Sequence, residues 1–253
     1  VHVDVLVGEG QDPHTYSPTP SQMTALGRAQ ILFTVGMPYE EALVERISAA
    51  DGGVKIVDTG AGFEKIALQC EHPEHAGDHA AEGEHAGDHE EHEPDPHIWL
   101  SPVYIKAQAE HIEKALAEAA PEKAEEFASR RAEFDAELDA LHTALSEQME
   151  PFAGEQIYVF HPAFGYFGHT YGIDQIAVEV GGNSPTPKEL AAFIEAAKES
   201  GVKVLFVQPQ FDTRSAETVA DALGAEVVAL DPLDPDVLPN LRRIGDAIAA
   251  GLR

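Results

Sequence analysis

Between residues 71 and 93 the chain carries no lysine, no arginine and, one proline aside, no aliphatic side chain larger than alanine. Such a segment cannot bury enough apolar surface to offset the entropy of ordering it, so it reads as a mobile loop. It therefore divides the chain, and the regions on either side must build their cores without it. Within it EHAGDH occurs twice, at Glu74 to His79 and at Glu84 to His89. His72, His75, His79, His85, His89 and His92, interleaved with carboxylates, form a soft, multidentate trap for divalent transition metals. The character changes at Asp95-Pro96-His97-Ile98-Trp99-Leu100, where a proline-restrained histidine leads into bulky apolar residues. The same tripeptide, Asp-Pro-His, stands at Asp12-Pro13-His14.

Short apolar runs alternate with helical patterns on both sides of the loop. Val3, Val5 and Val7 alternate with polar residues up to Gly8, the pattern of a half-buried strand. A short helix from about Pro20 to Arg28 precedes ILFTVG, a continuous apolar run suited to a buried parallel strand. A helix over 39–50 and the strand VKIVDTG follow. Beyond the loop, Ser101-Pro102 starts a helix to about Ala119, and Pro121 opens a second that reaches Glu150. Phe127, Phe134, Leu138, Leu141 and Leu145 line one face of that helix. At 1.5 Å per residue it extends roughly 40 Å, a length suited to crossing between lobes. The C-terminal part repeats the alternation: strands QIYVFH, IDQIAVEV, VKVLFVQPQ and EVVAL, with helices over 186–200, 214–223 and 237–252. The expected architecture is α/β: two lobes with mainly parallel sheets flanked by helices, joined by one long linker helix. The expected divisions are an N-terminal lobe over 1–120, the linker over 121–150 and a C-terminal lobe over 151–253.

A length of 253 residues exceeds one average core, which also favours two lobes. The formal charge of −29 argues against nucleic acid or anionic lipid as a partner and for cations. No run of 18 apolar residues is present, and the chain opens without the charged and apolar regions of an export signal. Cys70, the single cysteine, allows no internal disulfide and reads as a small half-buried residue.

In parallel α/β sheets, ligands collect beyond the carboxyl ends of strands. Four candidate metal ligands fall at such places: His14 in the loop after the first strand, His161 ending QIYVFH, Asp231 ending EVVALD, and His97 after the polar loop. Three imidazoles and one carboxylate suit tetrahedral Zn²⁺, whereas Mn²⁺ favours more oxygen. Taken singly, a histidine before proline or an Asp-Pro at a strand end is an ordinary turn or cap; their conjunction is what points to a metal. His111 and His142 lie on helices and His2 on the strand surface. His169, in a glycine-flanked turn, is the internal rival to His161.

The segments GEGQDPHTYSPTPSQ, DPHIWLSP, HPAFGYFGHTYG and VQPQFDTRSAETVADALGAEVVALDPL, with the acidic His-rich stretch before DPHIW, occur in this order. In these the chain resembles the zinc-specific branch of the metal-binding receptors of bacterial ABC importers, the ZnuA-like and TroA-like proteins. The resemblance implies two α/β lobes, one long helix between them, and a metal in the inter-lobe cleft. It also implies modest lobe motion. It assigns ligand roles to His14, His97 and His161 by motif and to Asp231 by its place in LDPL. Manganese-binding relatives have Glu at the third position, so His161 favours zinc. The implied role is an extracytoplasmic, periplasmic receptor that captures Zn²⁺ as cargo and delivers it to a membrane permease. A monomer is expected. Relatives have a strand and helix before the segment that begins here at Val1, so the numbering is read as starting inside a longer chain. Relatives also have Glu where Gln208 stands, which alters the groups that orient the ligands.

Two other classes compete. Three histidines with an open position could activate water in a zinc hydrolase, with Glu179 or Asp212 as conceivable bases. Asp231 closing the fourth position and the absence of HExxH argue against it. A passive metal buffer acting through the loop is the other; it predicts several weakly held ions and no single tight one.

Overall fold

The structure is a computed structural model that describes residues 1–49, 53–68, 94–179, 185–210 and 213–253. The His-rich stretch, Cys70 and Asp212 lie outside the described residues. The chain divides into two compact units. Unit 1 gathers Val1–Glu64, Pro96–Glu147 and Leu233–Arg242. Unit 2 gathers the described residues of Lys65–Asp95, with Gln148–Pro232 and Arg243–Arg253.

Unit 1 begins with helix α1 (Pro20–Leu26), strand β1 (Ile31–Thr34), helix α2 (Pro38–Ala49) and strand β2 (Lys55–Asp58). Thr19 and Gln22 form a reciprocal capping box that satisfies two otherwise orphaned donors at the start of α1. β1 and β2 pair in parallel, Ile31 opposite Lys55 and Thr34 opposite Asp58. Leu26, Leu32, Leu43 and Ile47 are buried together beneath them. Beyond the ladder, the Thr59 hydroxyl donates to the Thr34 carbonyl (2.8 Å) and accepts from Gln108 of α3 (Pro102–Ala119; 3.1 Å). α4 (Ala124–Met149) follows, and its stripe is buried at Leu138, Leu141 and Leu145. Lys106 of α3 grips both carboxylate oxygens of Asp139 on α4, at 2.7 and 2.6 Å.

The alternating segment at the start is not a strand. Val1, Val3 and Val5 are 79%, 75% and 75% exposed, and the described sheet of unit 1 contains only β1 and β2. Alternation makes a strand only where a neighbouring ladder takes up its backbone and a core takes up one face. Here neither occurs, and the segment, His2 included, has no regular structure; the Leu6 carbonyl accepts from Gln22 (2.8 Å).

Glu40, in the first turn of α2, is buried, and its carboxylate accepts from the backbone N–H groups of Val35, Gly36 and Met37 at 3.0, 2.7 and 2.9 Å. Burial nevertheless takes its pKa above the ordinary carboxylate range, the Asp58 charge adding to the rise while those N–H groups oppose it. The native state then holds this proton more tightly than the unfolded chain, whose Glu titrates near 4.3. Its contribution to stability is complete below that value and is lost as pH rises through the folded pKa.

Unit 2 contains β3 (Gln156–Val159), α5 (Gly165–Tyr171), β4 (Asp174–Ala177), α6 (Pro187–Glu199), β5 (Val204–Val207), α7 (Thr213–Leu223) and β6 (Glu226–Ala229). α8 (Val237–Gly251) ends the series, its last nine residues in unit 2. The sheet order is β4-β3-β5-β6, all parallel. The apolar runs in β3 and β5 are thus the two central strands, and Tyr158, Ile176, Leu205, Phe193 and Val219 belong to one core. Thr186 and Glu189 form the capping box of α6, whose Pro187 opens the first turn.

The segment around His169, expected as a turn, is the helix α5. Gly165 and Gly168 are close-approach positions, and only Gly172 is a turn glycine. A Cβ on Gly168 would lie 2.1 Å from the Ile173 carbonyl oxygen, while Gly172 closes the helix at φ +73°.

Two outcomes follow from these placements. Gly168→Ala is expected to lower unfolding stability by at least the roughly 1–3 kcal/mol typical of overpacking, measured by urea denaturation, because backbone must move. The Glu40→Gln variant should gain stability relative to wild type as pH is raised from about 4 to about 7. A gap that stays constant over that interval would contradict the burial argument.

Candidate metal centre

In unit 1, Asp12 folds the loop that presents His14. Its Oδ1 accepts from the His14 backbone N–H (2.8 Å) and its Oδ2 from the Thr15 hydroxyl (2.9 Å), a local turn with Pro13 buried beneath. His97 is 2% exposed and precedes a single 3₁₀ turn over Ile98–Leu100, whose Ile98 and Leu100 are buried. The Ile98 N–H donates to the Pro96 carbonyl and the Leu100 N–H to the His97 carbonyl, at 2.8 and 3.2 Å. The imidazole is flanked by Trp99, ring centroids 5.3 Å apart. The two Asp-Pro-His copies thus work differently. Asp12 shapes its own turn; Asp95 is buried in unit 2, where its backbone N–H donates to Ile66 (2.9 Å) and its carbonyl accepts from the Tyr166 hydroxyl (3.1 Å).

The outcome in unit 1 is a facing pair: His14 Nε2 and His97 Nε2 are 3.2 Å apart. Metal–nitrogen distances of about 2.0–2.1 Å at tetrahedral angles put neighbouring ligand nitrogens about 3.3–3.4 Å apart. The pair therefore has the spacing of two corners of a tetrahedral zinc site. The same separation is a hydrogen bond whenever one of the rings carries Nε2–H.

In unit 2, His161 follows β3 and is 1% exposed. The β3–β4 register pairs Val159 with Ala177, so two residues further His161 stands beside Glu179. The ladder continues that far, since the Glu179 N–H donates to the Phe160 carbonyl (3.0 Å). The Glu179 carboxylate, itself 6% exposed, lies 2.7 Å from His161 Nδ1. A buried carboxylate takes the N–H of a ring as its donor, so Nδ1 carries the proton and Nε2 keeps its lone pair. Carboxylates commonly fix metal-binding histidines in this way. From the other side Gln208, fully buried, accepts from the His161 backbone N–H (3.2 Å) and donates to its carbonyl (2.9 Å).

Asp231 is half-buried just after β6, and its Oδ1 accepts from the Gln210 side-chain amide (2.6 Å). His169 is exposed on α5. The His111 Nε2 lies 3.1 Å from the Ala61 carbonyl, its ring against Phe63. His142 is half-buried on α4, and exposed His2 lies 3.3 Å from Asp4. His72, His75, His79, His85, His89 and His92 lie outside the described residues. Glu179 was legible only as a conceivable base; what it does is orient His161. The signal for that role was the equal offset of His161 and Glu179 from the ends of two adjacent strands, which means nothing until their register is known.

The profile of the family described as "Zinc-uptake complex component A periplasmic" matches residues 1–244. The chain belongs to this ZnuA family. Its members are solute-binding receptors rather than enzymes. The high-affinity zinc uptake system protein ZnuA of Brucella abortus (strain 2308) is 30% identical over 271 residues, covering 94% of this chain and 81% of that protein. A crystal structure of ZnuA superposes with a TM-score of 0.86 at 35% identity, covering 100% of this chain and 91% of that one. A zinc-bound deletion mutant of ZnuA gives 0.85 at 34% identity, covering 99% and 89%. The α/β fold with parallel sheets read from the alternation is the fold of the family. Among the described residues no helix is long and apolar enough to cross a membrane.

The tautomer of His161 checks the site without any metal. Long-range ¹H–¹⁵N correlation on the metal-free protein should show Nδ1 protonated and Nε2 bare. In Glu179→Ala that preference should weaken towards a mixture; an Nε2–H tautomer in the wild type would contradict the assignment.

Proposed function

We propose that this chain is the zinc-capturing receptor of an ABC importer. It binds one Zn²⁺ as cargo through the Nε2 atoms of His14, His97 and His161 and the carboxylate of Asp231, and delivers it to a membrane permease outside the cytoplasm. The observation that supports this most is how His161 is held. A buried carboxylate on Nδ1 keeps the other nitrogen of the neutral ring bare, available as a metal ligand. The spacing of the His14–His97 pair and the zinc-uptake relatives support the same reading.

Neutral imidazoles suit a receptor. They bind a borderline-soft cation firmly, yet each can be lost to a proton, so affinity falls with acidification. A zinc hydrolase needs an open coordination position and a base aimed at the bound water. In the proposed set Asp231 closes the fourth position, and Glu179 is committed to His161. We assign the His-rich segment over 71–93 the role of raising local zinc concentration.

Native mass spectrometry under chelator competition tests the assignment, with the intact chain compared with one lacking residues 71–93. One tightly held zinc should survive in both. His161→Ala should weaken it by more than the roughly 10–100-fold typical of removing a group that merely orients a ligand. Loss of tight binding on deleting 71–93 would place the site in that segment and make buffering the better account. Zinc-dependent ester hydrolysis by the wild type would favour the enzyme.

A further inference from the structure

The end of β5 sends one amide to each side. β5 lies between β3 and β6 in the sheet, and all three strands run the same way, so their carboxyl ends share one edge. Immediately after β5 come Gln208, Pro209 and Gln210. Gln208 reaches to the residue ending the β3 run, where its amide both accepts from and donates to the His161 backbone, at 3.2 and 2.9 Å. Gln210 reaches to the second residue after β6, where its amide N–H holds Oδ1 of Asp231 at 2.6 Å.

We infer that Gln208-Pro209-Gln210 is a positioning bracket for metal capture, setting the backbone of His161 and the carboxylate of Asp231. The inference rests on the reading of those two residues as zinc ligands. The chemistry of each contact matches its task. Gln208 is 0% exposed, and the groups it meets are one N–H and one carbonyl. Only a side chain with both a donor and an acceptor satisfies both; a carboxylate would set a second acceptor against the carbonyl. Because Glu179 already fixes the ring through Nδ1, the backbone clamp removes the remaining freedom, the position from which the ring projects. At Asp231 the amide bond to Oδ1 fixes the orientation in which the carboxylate is presented. Pro209, with its fixed φ and no N–H, stiffens the link between the two amides.

Zinc affinity measured by chelator competition, the rise in Tm on adding zinc, and the visible absorption of the Co²⁺-loaded protein test the bracket. The variants are Gln208→Met and Gln210→Met, which keep the length of the side chain and delete the amide. Val207→Ala, in the core of the same strand, controls for simple loss of stability. Each Gln→Met variant should bind zinc roughly 10–100-fold more weakly and show an altered Co²⁺ spectrum. Its zinc-induced rise in Tm should shrink accordingly. Val207→Ala should lower Tm in the metal-free and zinc-loaded proteins alike, leaving affinity and spectrum unchanged. If Gln208→Met does not fold, Gln208→Asn, one methylene too short for both contacts, should show the same loss. Wild-type affinity and spectrum in Gln208→Met or Gln208→Asn overturn the His161 arm; the same result in Gln210→Met overturns the Asp231 arm. A wild-type chain that binds no zinc overturns the receptor reading itself, a result distinguishable from either.

Discussion

The parallel register of β4, β3, β5 and β6 is the constraint on which the rest of unit 2 depends. Four strands running one way bring four carboxyl ends to one edge, and the residues that follow them become neighbours although they are far apart in the chain. His161 meets Glu179 because Val159 is paired with Ala177. His161 meets Gln208 because β3 also pairs with β5, and Asp231 meets Gln210 because β5 also pairs with β6. A slip of one residue in any ladder would turn the affected side chains to the opposite face.

Polarity in this neighbourhood is tolerable only because it is matched. An isolated buried carboxylate costs several kcal/mol after relaxation. Glu179 offsets that cost with a hydrogen bond to an imidazole N–H, and the bond selects the tautomer suited to binding a metal. Gln208 is a buried amide with one partner for its donor and one for its acceptor. Unit 1 solves the problem differently. Local turns, Asp12 holding His14 and a proline-led 3₁₀ turn holding His97, fix two rings with their Nε2 atoms face to face. Each imidazole is placed by a few specific bonds, and none depends on a long side chain reaching out from the surface.

Most of the elements could be read in advance because their signals are local. The apolar runs became β1 and β5, Thr186 with Glu189 and Pro187 started α6, and Leu138, Leu141 and Leu145 of the expected stripe were buried, with Phe127 and Phe134 half-buried. Two readings failed for the same reason. The alternation of Val3, Val5 and Val7 looked like a strand, but a strand needs a neighbour, and the described sheet of unit 1 offers none. The glycines of HPAFGYFGHTYG looked like turn signals, whereas Gly168 is small because the Ile173 carbonyl approaches it. Period and composition cannot distinguish a glycine needed for its conformation from one needed for its size.

The amino-acid sequence alone determined the α/β alternation, the candidate ligands His14, His97, His161 and Asp231, and the preference for a cation. Each is a property of residue type and short spacing. Only the tertiary structure decided which groups contact those candidates. Glu179, Gln208 and Gln210 are ordinary polar residues in the chain, and their partners are 18, 47 and 21 residues away. Strand order and register bring them together, and both are set by long-range packing of the whole sheet, which no local pattern encodes.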